Sequence, residues 1–436
     1  MTANPRALTR RITTMRMTHA HRISGFVEEL LGTALPIGIR TWDGARVGPD
    51  DGPTVVLRSR RALRWLLYSP GELGLARAYV SGDLDVEGDL TEGFRRMWAL
   101  GRARGGGVRI GAGELGRAVA LATRLGAVGP PPRPPVEEAR LRGRLHSLRR
   151  DSSAIAHHYD LGNAFYQLLL DESMAYSSGY WTSDEPDYRL EHAQWDKLEL
   201  ICRKLDLRPG MRLLDVGCGW GSLLVHAAKH HGVRAVGVTL SAEQAQHVRA
   251  RVSALDLDDR VEVRRQDYRE LRDEPFDAVA SVEMGEHVGE ENYPTYAATL
   301  LRMLRPGGRL LLQQMSRGAV APGGGAFIER YIAPDMTMRP LSRTVQHLER
   351  AGFEVRDVHA LREHYVHTVR AWADTLERHW DDAVALIGER AARVWRLYLV
   401  GGALAFEENR MGVDQFLAVR PDADGRSGFP LARQKC

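Results

Sequence analysis

Arg212-Leu213-Leu214-Asp215-Val216-Gly217-Cys218-Gly219-Trp220-Gly221 decides the fold of this 436-residue chain. Leu213 to Val216 reads as a buried strand, the three alternating glycines as a tight turn, and Ser222 to His231 as a helix. Glycine suits a turn that needs positive φ, and a backbone that a ligand must approach closely. Alone, the pattern fits either a plain strand-to-helix connection or a cofactor loop.

The flanking sequence repeats the theme. Strand candidates are Arg212–Val216, Arg234–Thr239, Arg260–Arg265, Phe276–Val282, Arg309–Gln314, Phe353–Ala360 and Asp414–Arg420. Amphipathic segments separate the first five, which predicts an α/β doubly wound sheet with ligands at the carboxyl ends of its strands. Each of those ends is polar. Asp215 and the glycines follow the first, and Thr239-Leu240-Ser241 ends the second, ahead of Gln244. Gln266-Asp267-Tyr268 ends the third and Glu283-Met284-Gly285-Glu286-His287 the fourth. Ribose hydroxyls, an adenine amino group and a carboxylate need such a convergence of acceptors and backbone amides. A nicotinamide dinucleotide prefers Gly-x-Gly-x-x-Gly and an acid ending the second strand. Gly-Cys-Gly-Trp-Gly and Thr239 favour S-adenosyl-L-methionine instead. The last strand candidate is expected to run antiparallel, as in class I (Rossmann-like) methyltransferases.

The first 150 residues differ in charge from the rest. They carry 25 Lys and Arg against 14 Asp and Glu, whereas residues 151–436 carry 35 against 42. The basic part suits an anionic surface, lipid or nucleic acid, or is a solvated arginine-rich face. Residues 1–100 read as a small α+β amino-terminal domain, with a lipid or dimer role open to it. Its elements are a helix Phe26–Leu31, strands at Pro36–Trp42 and Thr54–Leu57, a helix Gly71–Ser81, and turn and strand over Gly82–Leu90. Residues 101–150 read as a Gly/Pro-rich and basic linker, from Gly105-Gly106-Gly107, the proline run at 130–135 and the leucine-interleaved arginines of 140–150. That basic stretch either lies on a membrane surface or joins two domains in solvent. Residues 151–436 read as the third region, expected to be a methyltransferase domain with helical insertions that bind an acyl chain.

Cys202, Cys218 and Cys436 are too few and scattered for a disulfide framework or a metal cluster, so a reducing, cytoplasmic setting and no metal are expected. No run of about 18 apolar residues predicts a membrane span, and Arg6 to Arg22 lead into no signal-peptide core.

Several stretches together carry a family resemblance. They are His158-Tyr159-Asp160-Leu161-Gly162-Asn163, Tyr176-Ser177-Ser178-Gly179-Tyr180-Trp181, Leu213 to Gly221, Thr239-Leu240-Ser241-Ala242-Glu243-Gln244 and Glu286-His287-Val288-Gly289. With them the chain resembles the cyclopropane-fatty-acyl-phospholipid synthases over residues 150–420, and more loosely over the amino-terminal domain. The resemblance implies that Tyr176 and Ser177 close over S-adenosylmethionine. It likewise implies that Asp215, Gly217, Cys218, Gly219, Trp220 and Gly221 form the cofactor loop. Thr239, Leu240, Ser241 and Gln244 then face the ribose, and Asp267, Tyr268 and Arg269 lie by the adenine. A bicarbonate base is implied in a pocket of Ser178, Glu286, Gln313, Met315 and Tyr365.

Departures from the family pattern matter. Ser178 stands where Cys is common, a mild change if the contact is a backbone amide. Gln313, in Leu312-Gln313-Gln314-Met315-Ser316-Arg317, stands where His is frequent and cannot carry its charge or proton, which puts bicarbonate in doubt. Gly285 replaces a common Phe. The Gln-Gln-Met-Ser-Arg version resembles the actinobacterial methyltransferases of the tuberculostearic acid pathway, which turn an oleoyl chain on a phospholipid into a 10-methylene chain for a separate reductase. The implied partners are thus an unsaturated phospholipid at the membrane surface, to which the chain would bind peripherally, a reductase, and a second copy of the chain as a homo-oligomer. Nucleic acid is not implied, because no base-flipping motif or recognition module is found. Cyclopropane formation is the alternative chemistry. A lipid-binding protein that has lost catalysis is the alternative of another class. Glu286 as a helix cap, Tyr365 as a packed aromatic, and Trp372, Trp380, Trp395 and Tyr398 as core rather than acyl-tunnel residues are the structural alternatives.

Overall fold

The computed structural model describes residues 17–104, 111–141, 143–147, 150–151, 154, 161–318 and 325–431. His157 and the motif residues His158, Tyr159 and Asp160 lie outside the described residues, as do Cys436 and parts of the basic stretch 140–150. The chain divides into two compact units, Met1–Arg133 and Pro134–Cys436.

In the first unit, helix α1 (His19–Leu31) begins at Thr18, whose hydroxyl accepts from His21 N, and ends at Gly32 in the left-handed region. Strands β1 (Gly38–Arg40), β2 (Arg46–Val47), β3 (Thr54–Leu57) and β4 (Leu84–Glu87) form a sheet ordered β2-β1-β3-β4, with only β1 and β3 parallel. Helices α2 (Arg61–Tyr68) and α3 (Glu72–Val80) precede β4, and α4 (Leu90–Ala103) follows it, capped by Asp89. The buried Trp65 donates its Nε1–H to Asp83 at 3.0 Å. The stretch read as a linker is not one. Ala112–Arg124 is a helix, α5, with Ala122 and Leu125 buried. Its exit is fastened where Arg64 Nε donates to Ala127 O (2.9 Å) and Tyr68 OH to Gly129 O (2.7 Å). The glycines and prolines flank this helix and hide it from a composition count. Beyond residue 133 the same stretch belongs to the second unit, where Ala139 N donates to Arg330 O and Arg150 pairs with Asp335.

The second unit opens with α6 (Asn163–Leu169) and α7 (Leu190–Leu205). Then come β5 (Arg212–Val216), α8 (Ser222–His231), β6 (Arg234–Thr239), α9 (Ala242–Ala254), β7 (Val261–Arg265) and β8 (Phe276–Val282). They continue into α10 (Tyr293–Met303), β9 (Leu304–Ser316), α11 (Leu341–Ala351) and β10 (Glu354–Ala360). Helices α12 (Arg362–Arg378), α13 (Trp380–Ile387) and α14 (Glu389–Glu407) lead to β11 (Gly412–Val419). The sheet order is β10-β11-β9-β8-β5-β6-β7, with β11 antiparallel to both neighbours, as expected. Strand β9 starts earlier than expected. Phe276 pairs with Leu304 but Ala278 with Arg309, so the Pro306-Gly307-Gly308 turn is accommodated as an irregularity inside the strand.

Leu213 and Leu214 explain the apolar run. Leu213 packs with Ala235, Val263 and Ala278 in one core cluster. Leu214 packs with Val238, Val279 and Phe416 in another. A strand with both faces covered has no need for alternation. A third cluster joins α6, α12, α13 and α14 around Tyr166, Trp372 and Trp395. No helix among the described residues is long and apolar enough to cross a membrane.

Phe416, fully buried on β11, holds that strand in the sheet opposite Leu312. Phe416→Ala is expected to cost about 3–5 kcal/mol, read as a lowered midpoint in guanidinium denaturation.

Candidate active site

The three loop glycines do different work. Gly217, Gly219 and Gly221 all have positive φ, at 82°, 52° and 78°. Gly217 N and Cys218 N donate to Val238 O, which turns the chain sharply off β5. A Cβ on Gly217 would meet Met284 Cγ at 2.6 Å, and one on Gly221 would meet Val248 Cγ1 at 2.6 Å. Gly219 has nothing within 4 Å of that position, so its bare backbone is open to a close-lying ligand.

Around this loop the ends of β5, β6, β7 and β8 enclose a cavity of about 120 Å³. Tyr176, Ser177, Asp215, Gly217, Cys218, Gly219, Trp220, Thr239, Leu240, Gln244, Asp267, Tyr268 and Arg269 all line it. Gly221 and Ser241 do not, because each is a helix cap. Gly221 precedes α8, and Ser241 Oγ accepts from Gln244 N at the start of α9. Asp215 Oδ1 is buried without a hydrogen-bond partner among the described residues. Burial pushes this carboxyl up to about 7, against the opposing pull of Lys197. The residues fit S-adenosylmethionine: an orphaned carboxylate oxygen suits an ammonium, and the open Gly219 backbone suits a ligand lying across it. Arg269 donates to Asp267 through Nε and Nη2 (2.8 Å each) and to Asp151 through Nη2 (3.0 Å).

Behind the cavity lies an arrangement that the sequence did not reveal. Glu283, a cavity-lining residue with positive φ (52°), collects three donors. Its Oε1 accepts from Ser178 N at 2.9 Å and from Gln313 Nε2 at 2.8 Å, and its Oε2 from Tyr365 OH at 2.6 Å. Gln313 is oriented by Gln415 Nε2, which donates to its Oε1 at 2.9 Å across the β9–β11 pairing. Burial raises the Glu283 carboxyl, and the three hydrogen bonds and Lys197 act against that rise. Lys197 was likewise missed. Nothing marks it within an amphipathic helix, yet it is buried with its Nζ 2.9 Å from Ser177 Oγ, and burial lowers it to about 8. Glu283 had a signal, its place at a strand end, but no pattern to name its partners.

Glu286 stands apart from this group. Its Oε1 accepts from Met315 N, and its Oε2 is buried with no partner among the described residues. It caps no helix. Burial first, then the nearby Glu283, raise it to about 8, so it holds its proton at neutral pH. Gly285 has a local reason: a Cβ there would lie 2.3 Å from Gln314 Oε1, which Tyr293 OH holds in place.

The expected bicarbonate does not fit. Ser178 N, Gln313 and Tyr365 all donate to Glu283, Met315 N donates to Glu286, and Ser178 Oγ donates to Gly179 O. Three of the five residues thus meet at Glu283 and Met315 at Glu286, and these protein carboxyls occupy their donors and disfavour another anion. The mildness of the Cys-to-Ser change also has its reason, since the contact is the Ser178 backbone N–H. Tyr365 is buried but is more than a packed aromatic. Trp372 and Trp395 form an apolar wall 5.2 and 6.0 Å from the Tyr176 ring, and Tyr176 and Tyr398 hydroxyls lie 3.1 Å apart. Away from the cavity lining, Cys202, His226 and His231 bring three ligand-type atoms within 4.8 Å of one another, a grouping that spacing in the chain concealed. Both imidazoles already bond to Glu199 Oε2.

A carboxyl that keeps its proton to about pH 8 when folded, against an ordinary value of 4.5, binds more protons folded than unfolded across that window. Its stabilising contribution is full below the lower value and is lost as pH rises through the upper. Asp215 has the same sign up to about 7. His226 and His287, both lowered to about 4 by burial, act with the opposite sign up to their ordinary 6.5. Melting temperature is therefore expected to fall between about pH 6.5 and 8, and Glu286→Gln to make that fall shallower in a pH series of thermal melts.

Comparison with known proteins agrees with the geometry. A family model described as mycolic acid cyclopropane synthetase matches residues 146–416. The chain is 40% identical to a probable fatty acid methyltransferase of Mycobacterium tuberculosis, over 91% of this chain and 94% of that protein. It is 38% identical to the cyclopropane-fatty-acyl-phospholipid synthase of Escherichia coli K12, over 60% of this chain and 66% of that one. Among solved structures, mycolic acid cyclopropane synthase CmaA1 in complex with SAH and CTAB superposes with a TM-score of 0.58 at 32% identity, covering 61% of this chain and 97% of that one. With the seven-stranded sheet, the glycine loop and the cavity beside it, these likenesses establish that the chain belongs to the cyclopropane synthase family of S-adenosylmethionine-dependent methyltransferases.

Proposed function

We propose that the chain methylates a carbon–carbon double bond in an acyl chain of a phospholipid, converting oleoyl to a 10-methylene chain. One observation carries this reading: a buried carboxyl cluster, Glu283 with Tyr365 and Gln313, adjoins the cofactor-type cavity and an aromatic wall. An alkene is a poor nucleophile and must be held in line with a strong electrophile. Bound S-adenosylmethionine supplies that electrophile as a sulfonium methyl. Asp215 would hold its ammonium group, and Gly217 to Trp220, Gln244 and Asp267 to Arg269 the remainder.

Alkylation places positive charge on the acyl chain. The ring faces of Tyr176, Tyr365 and Trp372 and the anion at Glu283 favour a cation there. Burial of Tyr365 and Trp372 keeps water from trapping it. Direct loss of a methyl proton would close a cyclopropane ring. A prior hydride shift would give the exocyclic methylene instead. Gln313, in place of the His frequent in the family, repositions or weakens the base so that the shift wins. Substrate would be reached by peripheral association at the cytoplasmic membrane surface, a reductase would take the methylene product, and the chain would act as a homo-oligomer.

Expression in a host rich in oleoyl phospholipid tests it. Both products add one carbon and two hydrogens, so the lipids must be resolved by proton NMR, where exocyclic methylene signals are expected in place of cyclopropane signals. Gln313→His is expected to move the ratio toward the ring. An unchanged ratio would remove Gln313 as the cause, and unaltered lipids with S-adenosylmethionine still bound would favour a lipid-binding protein without catalysis.

A further inference from the structure

We propose that Glu283 is itself the base of the reaction, a carboxylate built into the chain at the place where a bicarbonate would otherwise be held. The assignment rests on the function proposed above and specifies its proton acceptor. It stands on geometry. Ser178, Gln313 and Tyr365, three of the five residues that the family resemblance assigns to an anion, present their donors to Glu283 at 2.9, 2.8 and 2.6 Å. Ionised, a carboxylate offers about four lone-pair sites. Three are occupied, and one is left to accept a proton.

Glu283 lines the cavity and Glu286 does not. Glu286 also retains its proton, since burial and the nearby Glu283 both oppose its ionisation, whereas Glu283, with donors on both oxygens, is the member of the pair built to carry a negative charge. The backbone supports the same conclusion. Glu283 has φ 52°, a region that side chains other than glycine rarely adopt, and its N–H is held by Gln313 O at 2.6 Å. Such strain persists where surrounding structure enforces it, commonly at functional positions. Here it points the carboxylate into a ring of donors.

The step balances without a further reactant. The alkene π pair forms the new carbon–carbon bond as the S–CH3 bond breaks, and that bond's pair stays on sulfur as a neutral thioether. The adjacent carbon becomes cationic. A hydride then moves to it, with its electron pair, from the carbon bearing the new methyl. Glu283 takes a proton from that methyl, and the freed C–H pair becomes the exocyclic double bond. Glu283 ends protonated and returns the proton to solvent after product leaves. A carboxylate is a weak base, but a C–H next to a cationic carbon is acidic enough for it.

The experiment uses the full chain with S-adenosylmethionine and vesicles of dioleoyl phosphatidylglycerol, in buffer stripped of carbon dioxide and in the same buffer with added bicarbonate. Native protein is expected to turn over equally in both. Glu283→Gln is expected to lose about 100-fold or more while binding S-adenosylmethionine as the native chain does. Glu283→Gly is the informative second variant. Glycine accepts the positive φ without strain and frees the donors of Ser178, Gln313 and Tyr365. Its turnover is expected to be low in stripped buffer and to recover in part with bicarbonate. Carbon-13 bicarbonate NMR, which needs no turnover, is expected to detect binding to Glu283→Gly and none to the native chain. Bicarbonate binding to native protein, native turnover that needs bicarbonate, or a Glu283→Gln variant as fast as native would each overturn the assignment. A native chain inactive in both buffers would instead overturn the function on which it rests.

Discussion

A charge held away from water is the constraint on which this structure turns. Moving a carboxylate into a protein interior costs several kcal/mol even after relaxation, and hydrogen bonds to a charged group return about 1.5–3 kcal/mol each. Glu283 has three. They come from three separate parts of the second unit: the loop before α7, strand β9, and helix α12. A fourth part, β11, fixes the orientation of Gln313 through Gln415. Loss of register in any of them would leave a buried charge short of a partner.

The sheet makes this placement available. Strands β8 and β9 run parallel and adjacent, so Glu283 at the end of one meets Gln313 on the other. The antiparallel β11 completes the far side of β9 and carries Gln415 opposite Gln313. Helix α12 then crosses with Tyr365 facing the carboxylate. On the other side of β8, the glycine loop after β5 opens the cofactor cavity, and Glu283 belongs to its lining. Carboxylate and cavity are neighbours because their strands are.

The two carboxyls illustrate how environment divides a pair of like residues. Glu283 has donors on both oxygens, whereas Glu286 has one donor and one bare oxygen. Two negative charges that close in a dry site are unfavourable, so the better-solvated member ionises and the other keeps its proton. In the sequence Glu286 is a candidate through the recognisable Glu-His-Val-Gly stretch, whereas Glu283 marks only a strand end. In the implied bicarbonate pocket, Ser178, Gln313 and Tyr365 meet at Glu283, a centre that was not foreseen. The linker at 101–150 was misjudged for a compositional reason, since glycine and proline at its flanks masked a thirteen-residue helix that packs on α1 and α2.

Local pattern alone determined the strands, the glycine loop and the family. Apolar runs of strand length, glycines at alternate positions and polar strand ends are short-range features, and β5, β6 and β8 fall where those features place them. Only the tertiary structure decided which groups meet at the reaction centre. The partners of Glu283 lie 105, 30 and 82 residues away along the chain, and a contact across such distances depends on strand register and helix docking. Neither is written in the identity of the residues on either side of it.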